Sequence, residues 1–149
     1  MELCLLNIDQ HDIGVPMEAV REVLIRPGIS PLPLSPEFLV GVTGFRGMSL
    51  PVLELIPLLG LESTTSESRK NAGARDRVVV CQSSQGVLGI RVDLLDRLEH
   101  QEAGNTSLPE SGLLHPLTNQ EGASMNILNL SELFNQAQGL MNPHLEHAS

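Results

Sequence analysis

Val78-Val79-Val80-Cys81-Gln82-Ser83-Ser84-Gln85-Gly86-Val87-Leu88-Gly89-Ile90-Arg91-Val92 is the stretch from which the fold can be read. A β-branched run reaches Cys81, small polar residues and Gly86 interrupt it, and apolar residues return from Val87. Two strands joined by a hairpin turn have this pattern. Sliding the sequence against itself by 75 residues lays 3–23 over 78–98, with Gln10 over Gln85, Gly14 over Gly89, Val15 over Ile90, Glu18 over Asp93 and Val20 over Leu95. The same offset puts Leu39 over Leu114, Thr43 over Thr118, Gly47 over Gly122, and Leu53, Leu55 and Leu58 over Leu128, Leu130 and Leu133. Solenoid units run about 20–50 residues, so a period this long points to two similar β subdomains. Each half offers about five short strands, enough for a small barrel that hides its edges.

Outward from the hairpin, residues 3–9 read as a strand with Cys4, Leu6 and Ile8 on one face. Gln10-His11-Asp12 reads as a turn, and Ile13-Gly14-Val15 resumes the apolar pattern. Pro16 suits the start of a short helical turn, because it lacks a ladder donor. Val20 to Ile25 forms another strand. The run from Pro27-Gly28 through Pro31, Pro33 and Pro36 alternates prolines with apolar residues and reads as an ordered loop. Phe38 to Val42 and Leu50 to Leu55 are strand-like, the latter followed by an apolar turn ending at Gly60. Residues 62–76 carry Ser, Thr, Glu and Arg without a period and predict a flexible loop. Residues 99–112 read as loop, Leu113 to Leu117 as a weak strand and Met125 to Leu130 as a better one. Ser131 is the expected cap of a short helix reaching about Gln138, with a poorly ordered tail over 139–149.

Composition narrows the function. The chain has 149 residues, no Trp, no Tyr and three phenylalanines, Phe38, Phe45 and Phe134. The core must therefore be aliphatic, and the usual stacking platforms for bases and sugars are missing. A net charge of -9 from 9 basic and 18 acidic residues counts against nucleic acid, whose phosphates need Lys and Arg in number. Charge is uneven: no Lys or Arg follows Arg97, whereas Glu99, Glu102, Glu110, Glu121, Glu132 and Glu146 do. No stretch approaches the length of a membrane span, and with Glu2 after Met1 and no basic segment before the short apolar run, no export signal is expected. The expectation is a cytoplasmic protein with Cys4 and Cys81 as free, buried thiols.

Gly44-Phe45-Arg46-Gly47 breaks the repeat. Arg46 falls over Glu121 and Phe45 over Gln120. A turn needed only to close a barrel would recur in both halves, so this one is the first functional candidate. Two glycines bracketing Phe-Arg predict a tight turn that displays a side chain. A surface ion pair made by Arg46 is the competing reading.

These residues resemble the CheW-like domain. Ile13-Gly14-Val15-Pro16-Met17-Glu18-Ala19-Val20-Arg21-Glu22-Val23 is similar to that family's early strand-turn-strand. Gly41-Val42-Thr43-Gly44-Phe45-Arg46-Gly47 with Leu50-Pro51-Val52-Leu53-Glu54-Leu55 resembles its Gly-Val-x-Asn-Leu-Arg-Gly and x-Pro-Val-(Ile/Val)-Asp-Leu signatures. Val87 to Asp93 resembles its Gly-(Ile/Leu)-x-Val-Asp segment, and Asn126 to Leu130 its closing strand. The resemblance covers about 3–137. Gly44 stands where the family has Asn, Phe45 where it has Leu, and Glu54 where it has Asp. The segment between about 105 and 124 is short and lacks the family's Gly-rich strand.

The resemblance implies an all-β fold: two small five-stranded SH3-like barrels sharing an aliphatic core, with short helical turns and a short C-terminal helix. One domain would span 1–138, with a first barrel over about 1–61 and a second over about 77–138. It implies a non-catalytic adaptor of bacterial chemosensory arrays. Its partners would be the regulatory domain of a CheA-like histidine kinase and the cytoplasmic tip of a methyl-accepting chemoreceptor. Arg46 and Phe45, with Gly41, Gly44 and Gly47, would face the kinase or receptor, and Val20, Glu22 and Val23 would lie near the receptor groove. A divergent scaffold serving a pilus, surface motility or polar localisation is one alternative. A small-ligand sensor with a pocket between the barrels is another.

The residues themselves argue against an enzyme. His11, His100, His115, His144 and His147 do not pair with Cys, Asp or Glu at metal-ligand spacing, so no metal and no cofactor is expected. No nucleophile elbow, P-loop or dinucleotide fingerprint occurs. Asp93 and Asp96 read as a solvated face rather than an acid-base pair.

Overall fold

Cys4, Leu6 and Ile8 lie on one face of the first strand, and all three side chains are fully buried in the computed structural model. The structure describes residues 2–8, 11–59, 77–93, 99–102, 112–118 and 124–147. Among the described residues, ten strands run in order: β1 (Glu2–Ile8), β2 (His11–Pro16), β3 (Val20–Ile25), β4 (Leu39–Phe45), β5 (Met48–Leu53), β6 (Arg77–Ser83), β7 (Gly86–Val92), β8 (Glu99–Glu102), β9 (Leu114–Thr118) and β10 (Ser124–Leu128). A 3-10 turn, Met17–Ala19, follows Pro16. Among the described residues, two helices, α1 (Leu55–Leu59) and α2 (Leu130–His147), follow β5 and β10.

The strands form two five-stranded sheets, β8-β1-β2-β10-β9 and β3-β6-β7-β5-β4. A shift of 75 residues turns each strand of the second sheet into its counterpart in the first, in the same order. The correspondence reaches single hydrogen bonds. Glu54 N donates to Phe38 O at 2.7 Å, and at the shifted positions Asn129 N donates to Leu113 O at 2.8 Å. It also fixes the parallel seams: Val52 lies beside Gly89, and Ile127 beside Gly14. A Cβ on Gly14 would stand 3.2 Å from Leu3 Cδ1, and one on Gly89 would stand 2.6 Å from Val78 Cγ1. Leu3 and Val78 are equivalent positions, so glycine is kept at both seams by the same close approach.

Each sheet draws strands from both halves of the chain, so the barrels are not the sequential halves 1–61 and 77–138. The hairpin β1–β2 joins β8, β9 and β10, while β3, β4 and β5 join β6–β7. Strands β1 and β6 are apolar on both faces and sit inside their sheets, which lets each accept partners from the other half. The main core lies between the sheets and joins Cys4, Leu6, Ile8 and Val15 to Val79, Cys81, Leu88 and Ile90. Phe45, Leu50, Val52, Val78 and Val80 form a smaller cluster on the other face of the second sheet. Burial of each large side chain contributes about 1.5–3 kcal/mol.

Several local expectations are corrected. His11 and Asp12 begin β2 and pair with Ile8 and Asn7, because the β1–β2 ladder continues to its turn. Glu99–Glu102 is a strand despite its polar sequence, since the β1 backbone supplies its partners from Leu5 to Glu2. Strand β5 ends at Leu53, and helix α1 has begun by Leu55. The cap of α2 is Asn129 rather than Ser131, its Oδ1 accepting from Glu132 N at 3.2 Å. The helix runs on to His147 rather than ending near Gln138. Gly139, where the poorly ordered tail was expected to begin, costs a helix only about 1 kcal/mol against alanine. The loop expected over 62–76 lies outside the described residues.

Candidate functional site

The Gly-bracketed turn joins β4 to β5 as a two-residue hairpin, with Phe45 opposite Met48. Arg46 (φ 48°) and Gly47 (φ 79°) both take left-handed backbone, which makes a type I′ turn matched to strand twist. Gly47 meets that demand without strain, and Arg46 meets it at a cost. The Arg46 side chain is exposed, and its guanidinium lies 5.2 Å from the Phe45 ring centroid. Such a contact at an exposed site is worth about 0.5–1 kcal/mol and limits the rotamers Arg46 samples.

Phe45 itself is not displayed. It is 8% exposed and fills the smaller cluster beneath the turn. All three phenylalanines are core residues, because Phe38 and Phe134 pack in the main core. Phe45 was expected to face a partner with Arg46; it lies instead in the core, and its ring supports Arg46 from below.

The remaining candidates separate by burial. Gly41 is buried, and a Cβ there would overlap the Ser30 carbonyl oxygen. Ser30 and Val42 exchange backbone hydrogen bonds of 2.8 and 2.9 Å at this point. They draw the chain after β3, an edge strand, against β4 at the opposite edge, and so close the second sheet. Gly41 also ends a bulge, the register to β5 slipping between Leu39 and Gly41. Its role is therefore structural. Gly44 is exposed, and a methyl added to it would meet nothing within 4 Å. On β3, Val20 and Val23 are half-buried against the main core, and Glu22 is exposed just past a second register shift.

The sequence reading passed over two further features. Ile25, Leu32, Leu34 and Met48 are large apolar side chains on the surface. The Pro-Leu alternation is visible in the sequence, but only the backbone path decides which leucines face outward. An open groove lies between β5, β7 and α2, lined by Pro51, Leu53, Val87, Leu88, Phe134 and Ala137. Gln85, at the groove's end, donates from Nε2 to Asn135 Oδ1 at 3.1 Å and ties the β6–β7 turn to α2.

Among the described residues, no group of three His, Cys, Asp or Glu side chains converges. Cys4 and Cys81 are free and buried in the main core. Burial raises the Cys4 thiol, and burial with the neighbouring Cys4 pushes Cys81 up to about 12, so neither is a ready nucleophile at neutral pH. No described helix is long and apolar enough to cross a membrane.

A family model of the CheW-like domain matches residues 2–138. Protein FrzA of Myxococcus xanthus is 34% identical over 136 residues, an alignment covering 85% of this chain and 80% of that protein. The probable chemotaxis protein CheW of Rhizobium etli is 29% identical over 92 residues, or 62% of this chain and 56% of that protein. Among solved structures, the scaffolding protein TtCheW from Thermoanaerobacter tengcongensis has a TM-score of 0.64 at 16% identity, over 86% of this chain and 88% of that one. At that identity the likeness is one of fold.

Proposed function

The chain belongs to the CheW-like domain family, and from that premise we propose that it couples a chemoreceptor's cytoplasmic tip to the regulatory domain of a histidine kinase. As a member of that family the chain is a non-catalytic, chemotaxis-type adaptor. Adaptor work asks for preformed surfaces rather than a reactive cleft, and a rigid anchor lowers the ordering cost of binding. Arg46 carries the reading. It is an exposed guanidinium held on a type I′ turn by left-handed backbone and by the Phe45 ring, and it occurs in one half of the repeat only. Arginine at such a position suits a carboxylate-bearing protein partner.

The experiment is a pull-down and titration of the full chain against a kinase regulatory domain and a receptor-tip fragment from the same organism. Arg46→Glu is expected to weaken at least one of the two by about tenfold or more, with the fold intact. Wild-type chain that binds neither partner would sink the coupling role. Unchanged binding by Arg46→Glu would return Arg46 to a surface ion pair. A second reading, an adaptor for an output other than chemotaxis, is favoured by the departures at Gly44 and Phe45. The likeness to Protein FrzA of Myxococcus xanthus, at 34% identity, is in keeping with such an output.

A further inference from the structure

We propose that Phe45 is a positioning residue for Arg46: its buried ring takes one side of the guanidinium, so that Arg46 meets a carboxylate of the partner through its N–H edge, with the side chain already in place. The inference rests on the adaptor reading and deepens it, naming what aims Arg46 and the chemical group at which it is aimed.

An unsupported arginine on a hairpin turn samples many rotamers, and a partner that binds it must freeze them. Here the guanidinium carbon stands over the Phe45 ring, 5.2 Å from its centre. The ring is itself held. Phe45 is 8% exposed and packs with Leu50 and Val52 of β5 and with Val78 and Val80 of β6. The interior of the second sheet therefore sets the direction of Arg46, together with the turn. A ring so deeply covered offers a partner almost no surface of its own. Any effect of Phe45 on binding has to pass through Arg46.

The donors of Arg46 are unspent. Among the described residues, no carboxylate pairs with it and no hydrogen bond engages it; the Phe45 ring is its contact. Residues 39–53, the whole β4–β5 hairpin, hold no other charged side chain. A lone exposed cation is complemented by an anion, and the planar fork of a guanidinium matches a carboxylate in a bidentate contact. The ring does not compete for that contact. The N–H groups lie in the guanidinium plane, whereas the ring lies to one side of it.

Backbone and repeat agree with a role in contact. Arg46 has φ 48° at a turn position that favours Asn or Gly, so arginine is kept there at a cost to the fold. At the shifted positions of the other half stand Gln120 and Glu121. Ring and cation are thus both missing from the second copy of the motif, and closing a sheet does not call for the pair.

The test is a double-mutant cycle on the full chain. Wild type, Phe45→Leu, Arg46→Ala and the double variant are each titrated with the kinase regulatory domain and with the receptor-tip fragment. Leucine keeps the site apolar and nearly filled, and urea unfolding checks that each variant is folded. Against whichever partner Arg46→Ala weakens, Phe45→Leu is expected to weaken binding about two- to fivefold, the equivalent of an exposed cation–π contact. In the Arg46→Ala background the same change is expected to have no effect. Arg46→Lys, which keeps the charge and loses the fork, should also weaken that partner. Proton NMR of the free chain supplies a signature: the ring shifts the Arg46 side-chain resonances upfield, and Phe45→Leu returns them to ordinary values. Equal weakening by Phe45→Leu in both backgrounds overturns the inference, because a purely structural role gives that result. So does full affinity in Phe45→Leu, in Arg46→Lys or in Arg46→Ala. In each of these cases the chain still binds its partners, and the adaptor reading stands. Wild-type chain that binds neither partner overturns the adaptor reading and this inference together.

Discussion

Replacing Gly41, Gly44 and Gly47 with alanine one at a time separates what the turn motif does for the fold from what it offers a partner. At Gly41 a methyl would overlap the Ser30 carbonyl oxygen and lie 2.8 Å from its carbon and 2.9 Å from Ile29 Cγ2. The backbone must move, which breaks the two Ser30–Val42 hydrogen bonds, each worth about 1 kcal/mol net. Unfavourable backbone adds about 1 kcal/mol, and the stiffer unfolded chain returns about 0.4–1. The net loss is about 2–3 kcal/mol, or roughly 4–12 °C in Tm for a chain of this size. Gly47 has φ 79° but open space around it, so alanine there costs only its left-handed strain, about 1 kcal/mol. Gly44 has neither constraint, and alanine should be neutral or stabilising by up to about 1 kcal/mol. Urea unfolding of the three variants, with amide exchange at Val42, reads this order directly. Gly41→Ala as stable as Gly44→Ala, with the Val42 amide still protected, would refute the account. Loss of partner binding in Gly41→Ala is accordingly expected to follow loss of the closed sheet, not loss of a contact.

Two further outcomes follow from packing and titration. Gly89→Ala should cost about 1–3 kcal/mol, because Val78 Cγ1 would stand 2.6 Å away, while Gly14→Ala at the equivalent seam should stay within about 1 kcal/mol; equal effects in urea would mean the seams are not packed this way. Cys81 titrates at about 12 when folded against an ordinary 9.0, so its contribution is complete below 9.0 and is lost as pH rises towards 12. The loss is about 1.4 kcal/mol near pH ~10, and Cys81→Ala should flatten the alkaline limb of a stability-against-pH curve. A limb unchanged by the substitution would assign that pH dependence to other groups.

The same positions show where sequence reading stops. Short apolar runs, β-branched in β6 and broken by Gly86 before β7, made β1, β6 and β7 legible, because strand preference and turn chemistry are local. The 75-residue offset was legible for the same reason, and it placed each strand of one sheet over a strand of the other. Glu99–Glu102 was not legible, since a polar edge strand is held by its partner's backbone and needs no apolar signature of its own. Phe45 was misread because the turn beside it is a sequence signal, whereas the space beneath it is made by Leu50, Val52, Val78 and Val80 from two other stretches of chain.

By itself the sequence determined the all-β class, the aliphatic core, the internal repeat and the Arg46 turn, all of which rest on local pattern and composition. Tertiary structure alone decided that the two halves exchange strands, that Gly41 is sealed by Ser30, and that Leu34 points to solvent while Phe45 does not. These depend on which segments meet across long stretches of chain. A hairpin with two apolar faces says that it will be covered, but not by what. The covering segments are chosen by the packing of the whole core.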